Sequence, residues 1–305
     1  MKKVVAFLDL LGFRRHLKGN PKEAAHLIES YNTIIDSRFM DKVSSLKKDF
    51  KYPEFSKFEI DSFEYFLPFS DSIFIMSDKP NKFIQQLSTF LIDCYLFTAN
   101  RYLYPTKEED PTLVEVIHLI RSPQEIKKHK EKIHWYPTIF RCGITYGEAF
   151  PIQPLMIDMY KRTETGNLFG EAVVDAVELE ELKAKGPKIL CNELFFEQLN
   201  EENKIYVREY NHKTYEILWP AYKYISSDGE IELNEIDNLL GPTISLWKSI
   251  NHTELSKYYF NFIEIIVQGS IRYFENVNLK SQAIEKIKQI LKNDGMEAKE
   301  EILFD

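Results

Sequence analysis

The stretch Val4-Val5-Ala6-Phe7-Leu8-Asp9-Leu10, followed at once by Leu11-Gly12-Phe13, sets the hardest condition on the fold. It reads as a fully buried strand, and it carries a carboxylate near its end. Burying an acid in apolar surroundings is costly unless it is paired, hydrogen-bonded or bound to a cation. No Lys or Arg lies inside the run to meet that need locally. Two roles for Asp9 follow. Either it caps the next turn or helix through backbone amides, as Asp often does, or it holds a divalent metal beside a phosphate-binding turn, where Gly12 lets the backbone come close to a ligand.

The chain of 305 residues can bury a sizeable core, as one large domain or two ordinary ones. Its net charge of −8 argues against a general nucleic-acid or anionic-membrane surface, while leaving room for a local basic pocket. Cys94, Cys142 and Cys191 are odd in number and lack metal-ligand spacing, so they read as buried thiols in a reducing compartment. No histidine is spaced from an acid or a cysteine as a zinc site requires. Lys2 and Lys3 precede an apolar stretch, but Asp9 interrupts it and no cleavage site follows. The apolar segment at 260–269 is too short and too charged to span a bilayer. A cytoplasmic protein without membrane or nucleic-acid partners is therefore expected.

Pro21 opens an amphipathic helix over 21–46, with Ala25, Ile28, Tyr31, Ile35, Phe39 and Val43 at helical spacing. Residues 58–69 roughly alternate and are rich in aromatics, and 72–77 read as a second strand, which makes Ser70-Asp71 the tip of a hairpin. A helix is predicted over 80–103, carrying Phe83, Leu87, Phe90, Leu91, Cys94 and Phe97 on one face. The charged segment from about 104 to 136 reads as an insertion with a short helix of its own. Residues 138–150 read as a strand followed by a turn at Gly147, and 167–185 as a helix stopped by Gly186-Pro187. "KILCNELFFEQL" and "KTYEILWPAY" suggest a short strand with a helical turn and then a last strand. The order βα-ββ-α-β-α-β-β is a mixed α/β arrangement consistent with a ferredoxin-like core. From about 230 the pattern is helical, ending with Ile284, Ile287 and Leu291 on one stripe, as an appended layer or a dimerisation element would. The chain thus divides into a core over 1–222, containing the insertion, and a mostly helical extension over 223–305.

A ferredoxin-like sheet sets the strands that carry Asp9 and Asp71 side by side, so the two carboxylates converge. Like charges held together raise each other's proton affinity, and such a pair is normally stable around a metal or a shared proton. Taken singly, Asp71 is equally an ordinary hairpin-turn residue. The ordered set "FLDLLGF", "FSDSIFI", "RCGITYG" and "FGEAVVDAVELEE" resembles the class III nucleotide cyclase catalytic domain, above all its pyrimidine-specific variant from the Pycsar anti-phage defence of bacteria. The likeness spans residues 4 to about 218.

That resemblance implies a mixed, mainly antiparallel sheet with flanking helices. It also implies an enzyme that closes a ribose 3′-oxygen onto the α-phosphate and expels pyrophosphate, using two divalent ions, Mn²⁺ or Mg²⁺. Asp9 and Asp71 fall on the family's metal-binding aspartates and the Leu10 carbonyl on its backbone ligand. Leu11-Gly12-Phe13 falls on the triphosphate-holding amides, with Leu67 and Ser70 on further substrate-binding positions. A homodimer with interfacial active sites is implied as well.

The departures from the family bear on specificity. Where purine cyclases carry a Lys or Glu that reads the base, this chain has Leu67, with Tyr65 and Phe66 beside it, and an apolar residue makes no charged contact to adenine or guanine. Where they carry an Asn and then an Arg, this chain has Val174 and Glu178. A glutamate does not stabilise phosphate charge, so Arg141 is the candidate for that catalytic task and Arg162 a second one. The ordinary alternative for Arg141 is a salt bridge to Glu148 or Glu178. The function expected is uridylate cyclase activity, UTP to 3′,5′-cyclic UMP, in anti-phage signalling. Cyclic CMP from CTP and a non-catalytic nucleotide-sensing module remain as alternatives. No GG-[DE]-[EF] signature of a diguanylate-type synthase is present.

Overall fold

A computed structural model describes residues 1–19, 24–25, 27–28, 61–103, 113–119, 126–132, 136–152, 167–182, 184–225, 233–250 and 256–304. In the first half of the chain the elements are β1 (Lys2–Leu10), α1 (Phe13–Gly19), β2 (Tyr65–Phe69), β3 (Ser72–Ser77), α2 (Pro80–Leu103), β4 (Leu113–Leu119), β5 (Ile126–Lys132) and β6 (Phe140–Glu148). Then come β7 (Phe150–Ile152), β8 (Asn167–Phe169), α3 (Glu171–Glu180), β9 (Ile189–Asn192), α4 (Glu193–Glu197), α5 (Glu201–Lys204), β10 (Val207–Asn211) and β11 (Thr214–Ile217). A short 3-10 turn at Trp219–Ala221 leads into α6 (Tyr222–Ile225), α7 (Glu235–Ile250), α8 (Ser256–Asn276), α9 (Lys280–Asn293) and α10 (Glu300–Phe304). Seven strands form one sheet in the order β10-β11-β9-β6-β1-β3-β2. Only the β6–β9 pairing is parallel, so the sheet is mixed and mainly antiparallel, with helices flanking it.

The alternation of β1 decides where Asp9 goes. Val4, Ala6, Leu8 and Leu10 enter the main core with Phe83, Phe90, Tyr95 and Phe97 of α2. Val5 lies on the opposite face in a smaller cluster with Met76, Ala149, Ala172 and Ala176, against which Phe7 and Phe74 pack half-buried. Asp9 shares the phase of Val5 and Phe7, so the acid belongs to the smaller face and not to the main core. β6 is phased in the same way, with Phe140, Cys142 and Ile144 in the main core. Its other face presents Arg141, Gly143, Thr145 and Gly147 to α3, where Thr145 Oγ1 donates to the Ala172 carbonyl at 2.7 Å. A Cβ at Gly147 would stand 3.3 Å from that of Ala172. At Gly143 it would run into the Ala176 carbonyl and lie 2.9 Å from Glu180 N. Small residues on both partners are what let α3 lie directly on the sheet.

The C-terminal helices pack on the α2 side and share the main core. Phe262, Ile263, Ile266 and Phe274 of α8 and Leu239, Leu240 and Ile244 of α7 are buried in it. Tyr95 Oη and Thr243 Oγ1 are 2.6 Å apart, and the Tyr95 and Phe262 rings stand 4.7 Å apart edge-on. At the sheet edge, Glu216, 1% exposed, is met by Lys188 Nζ at 2.6 Å and Arg208 Nε at 2.8 Å, and Arg208 reaches on to Glu264 of α8. A buried carboxylate held by two cations is the compensation such burial demands.

Several predicted elements are confirmed: the first strand, the hairpin turning at Ser70-Asp71, the helix over 80–103, and three buried free cysteines. Others differ. The insertion forms an antiparallel hairpin, β4 with β5, in place of a short helix; the β-branched content of "LVEVIHL", Val114, Val116 and Ile117, outweighs its charged neighbours. β6 runs through Gly147 without turning, because that glycine serves close packing. The helix read over 167–185 is β8 followed by α3, which starts at Glu171 and ends at Glu180. β10 was not expected, since "VREYN" is polar and its residues are half-buried or exposed. Of the helix predicted over 21–46, residues 24–25 and 27–28 are helical, with Ala24 and Leu27 buried and Ala25 exposed; the remainder lies outside the described residues.

Gly143→Ala is expected to destabilise the chain by about 2 kcal/mol or more, the range for overpacking a close contact. A chemical-denaturation midpoint unchanged from wild type would show that α3 does not rest on β6 in this way.

Candidate active site

Asp9 is the penultimate residue of β1, opposite Ser72 of β3 on one side and Arg141 of β6 on the other. Asp71 precedes Ser72 at the hairpin tip, where its carbonyl accepts from Leu10 N at 2.9 Å. The backbone conformation of Ser70, φ 58°, completes this two-residue turn. The two acids are therefore held at adjacent strand ends by the sheet's own register. Their charges feel each other, since Asp71 raises the proton affinity of Asp9.

The cation missing from the amino-terminal run comes from across the sheet. Arg141 Nη2 donates to Asp9 Oδ2 at 2.9 Å and also stands 2.7 Å from Glu180 Oε1, at the last turn of α3. Asp9 and Arg141 are about a quarter exposed and Glu180 is 6% exposed. One nitrogen thus serves two carboxylates, whereas the strong arrangement is a fork with two parallel bonds. Two buried atoms of the Arg141–Glu180 pair are left without hydrogen bonds among the described residues: Arg141 Nε, and Glu180 Oε1 despite its ion-pair contact.

The salt-bridge partners expected for Arg141 were Glu148 and Glu178; both are exposed, and the actual partners are Asp9 and Glu180. Glu180 was missed. Its signal was present in the helical spacing, because Ala172, Ala176 and Glu180 are the buried residues of α3 and recur every fourth position. Val174 is exposed on the same helix, and Arg162 lies outside the described residues.

The turn after β1 is built by Gly12 at φ 84°, a left-handed conformation that a side chain would resist. Leu11 N donates to the Ile139 carbonyl at 2.8 Å. Phe13 is buried at the start of α1 and Gly12 is exposed. Leu67 and Phe66 are half-buried on β2, Tyr65 is partly exposed at 40%, and Phe69 projects at 74% exposure next to Ser70. Asp9, Asp71, Arg141, the Leu10–Phe13 turn and the β2–β3 hairpin thus meet at one end of the sheet.

Two aspartates and a main-chain carbonyl offer hard oxygen donors, the kind Mg²⁺ and Mn²⁺ take, and Mg²⁺ needs only one or two carboxylates when phosphates fill its other positions. The donor set fits such an ion. Among the described residues no three His, Cys, Asp or Glu side chains gather as a closed metal cage. Among them, too, no helix is long and apolar enough to cross a membrane.

No family model and no curated protein matches the sequence. Among solved structures the chain is similar to adenylate cyclases from Trypanosoma brucei in their monomeric state, at 14% identity over 71% of this chain and 87% of that one, with a TM-score of 0.38. It is similar to a bacterial light-regulated adenylyl cyclase at 12% identity over 77% of this chain, spanning 55% of that one, with a TM-score of 0.43. A double mutant of the guanylyl cyclase domain of the RhoGC fusion protein from the aquatic fungus Blastocladiella emersonii gives 12% identity, coverage of 71% and 93%, and a TM-score of 0.39.

Burial raises the Asp9 pKa, Arg141 offsets part of that, and Asp71 raises it further. Glu180 is raised as well, by burial first, with Arg141 opposing and Asp9 and Glu181 adding. A carboxyl with a raised pKa makes the folded state bind more protons than the unfolded one. Its contribution is full at low pH and is lost as the pH rises through the folded value. The melting temperature of Glu180→Gln should therefore equal that of wild type near pH 4 and gain on it progressively toward pH 7. A variant that loses ground as the pH rises would mean that the Arg141 ion pair outweighs burial.

Proposed function

We propose that the chain is a pyrimidine nucleotide cyclase of the class III type, converting UTP to 3′,5′-cyclic UMP and pyrophosphate and signalling in anti-phage defence. The observation that carries the reading is the pair Asp9 and Asp71, at the ends of neighbouring strands and within electrostatic reach of each other, beside a turn whose backbone comes to the surface at Gly12. In the reaction the ribose 3′-hydroxyl loses its proton, its oxygen bonds to the α-phosphorus, and the bond from that phosphorus to the bridging β-oxygen breaks.

Asp9, Asp71 and the Leu10 carbonyl would hold two divalent ions. Such ions activate the attacking oxygen and neutralise charge on the leaving pyrophosphate. The triphosphate is assigned to the Gly12 and Phe13 amides, since Leu11 N already serves Ile139. Arg141 is assigned to the charge that develops on the α-phosphate, the place where a fixed cation is worth most. Leu67, with Tyr65, Phe66 and Ser70 around it, is assigned to the base. It has no charge with which to select a purine, and this favours the smaller pyrimidine. The half-buried Phe7 and Phe74 on the α3 face, with Phe169 exposed nearby in sequence to α3, support a homodimer that covers this face and completes the sites between subunits.

Incubation with Mn²⁺ and each of ATP, GTP, CTP and UTP should yield a cyclic product and pyrophosphate from UTP. Asp9→Asn and Asp71→Asn should each reduce turnover by about 100-fold or more while the far-UV spectrum is kept. Conversion of CTP instead would reassign the base, and pyrophosphate release from none of the four would turn the reading to a nucleotide-sensing module. Full activity from a species that sediments as a monomer would remove the interfacial site.

A further inference from the structure

The Arg141–Glu180 pair has more to do than salt-bridging. Asp9 and Glu180 share the Arg141 guanidinium and Asp71 lies within electrostatic reach of Asp9, so with all three carboxylates ionised two negative charges are left uncompensated, the amount that one divalent ion supplies. Yet the Asp9 carboxylate is already engaged by Arg141 Nη2 through Oδ2, so an ion bound to that carboxylate would stand against the guanidinium. Ion and arginine compete for the same carboxylate, so the arginine needs a second place to rest. Glu180 offers one. The two orphaned buried atoms, Arg141 Nε and Glu180 Oε1, belong to this same pair, and a small turn of the guanidinium away from Asp9 would satisfy both in a two-bond fork.

We propose that Arg141 is the resident cation of Asp9 in the metal-free chain, and that Glu180 is a positioning residue onto which the guanidinium turns when a divalent ion takes the Asp9 carboxylate. The exchange rests on the metal-binding reading of Asp9 and Asp71 given above. It accounts for a glutamate at a position where the helix otherwise buries only alanine, Ala172 and Ala176. It also keeps a lone buried carboxylate from standing unpaired in either state. Arg141 then serves twice, holding Asp9 before the ion arrives and being fixed at the edge of the site afterwards. Gly143 matters here too, because the close approach it allows between β6 and α3 brings Glu180 within reach.

The test is Mn²⁺ binding by the full chain, read as loss of the free-ion signal in electron paramagnetic resonance, for wild type, Asp9→Asn, Glu180→Gln, Arg141→Gln and the Glu180→Gln/Arg141→Gln double variant. Wild type should bind and Asp9→Asn should not; if wild type binds no Mn²⁺ with or without nucleotide, the metal reading fails and the exchange with it. Glu180→Gln should weaken binding by about tenfold, because the arginine stays on Asp9, and Arg141→Gln should tighten it by a similar factor. The double variant decides between exchange and simple charge addition. It should bind as tightly as Arg141→Gln alone, since Glu180 has nothing left to hold. A double variant that returns to the wild-type affinity shows additive electrostatics, and one that stays as weak as Glu180→Gln shows a purely structural glutamate; either result overturns the exchange.

Discussion

One guanidinium ties together the three elements that make the site. Arg141 extends from β6 to the end of β1 through Asp9 and to the end of α3 through Glu180. Without it, the Asp9 and Glu180 carboxylates would lie close together near Asp71 with no compensating charge, and their proton affinities would rise further. Its reach depends in turn on packing. Arg141, Gly143, Thr145 and Gly147 alternate with the core residues of β6, and the glycines among them let α3 settle directly on the sheet. A bulkier strand would move the helix outward and take Glu180 with it.

The two faces of the sheet divide the labour. The α2 face carries the large aromatic core, continuous with the C-terminal helices through Tyr95, Trp219 and Phe262. The Arg208–Glu216–Lys188 cluster, with Glu264 of α8, secures the far edge. This side is densely packed. The α3 face has a small cluster built on alanines, half-buried Phe7 and Phe74, and the charged site at one end. Stability is concentrated on one side of the sheet, which leaves the other free to carry polar groups whose burial works against folding. The raised pKa values of Asp9 and Glu180 are the sign of that trade.

Much of this was legible one segment at a time. The helix over 80–103 announced itself by spacing, and the Ser70-Asp71 tip by the two runs on either side of it. Asp9 was conspicuous because an acid in an apolar run demands a partner, and the pairing of β1 with β3 follows from the expected core topology. The misreadings have physical causes. The charge of the insertion points to a solvated helix and hides the β-branched content of "LVEVIHL", and β10 lacks the apolar face that marks a strand. Gly147 reads as a turn in the sequence because a glycine that serves conformation and one that serves closeness look the same there.

By itself the sequence determined which residues had to find partners: a carboxylate in an apolar strand, a second at a hairpin tip, and a lone arginine on a strand that also carries two glycines. Those needs are local, arising from burial and periodicity along a few residues. Only the tertiary structure decided who met them. Arg141 takes Asp9 and Glu180, and passes over Glu148 and Glu178. Which glutamate of α3 turns inward depends on the rotation of that helix against β6, and the rotation is set by the seating of Ala172 and Ala176 on two glycines from a distant part of the chain. Contacts between segments far apart in sequence fix that angle, and no periodicity within either segment contains it.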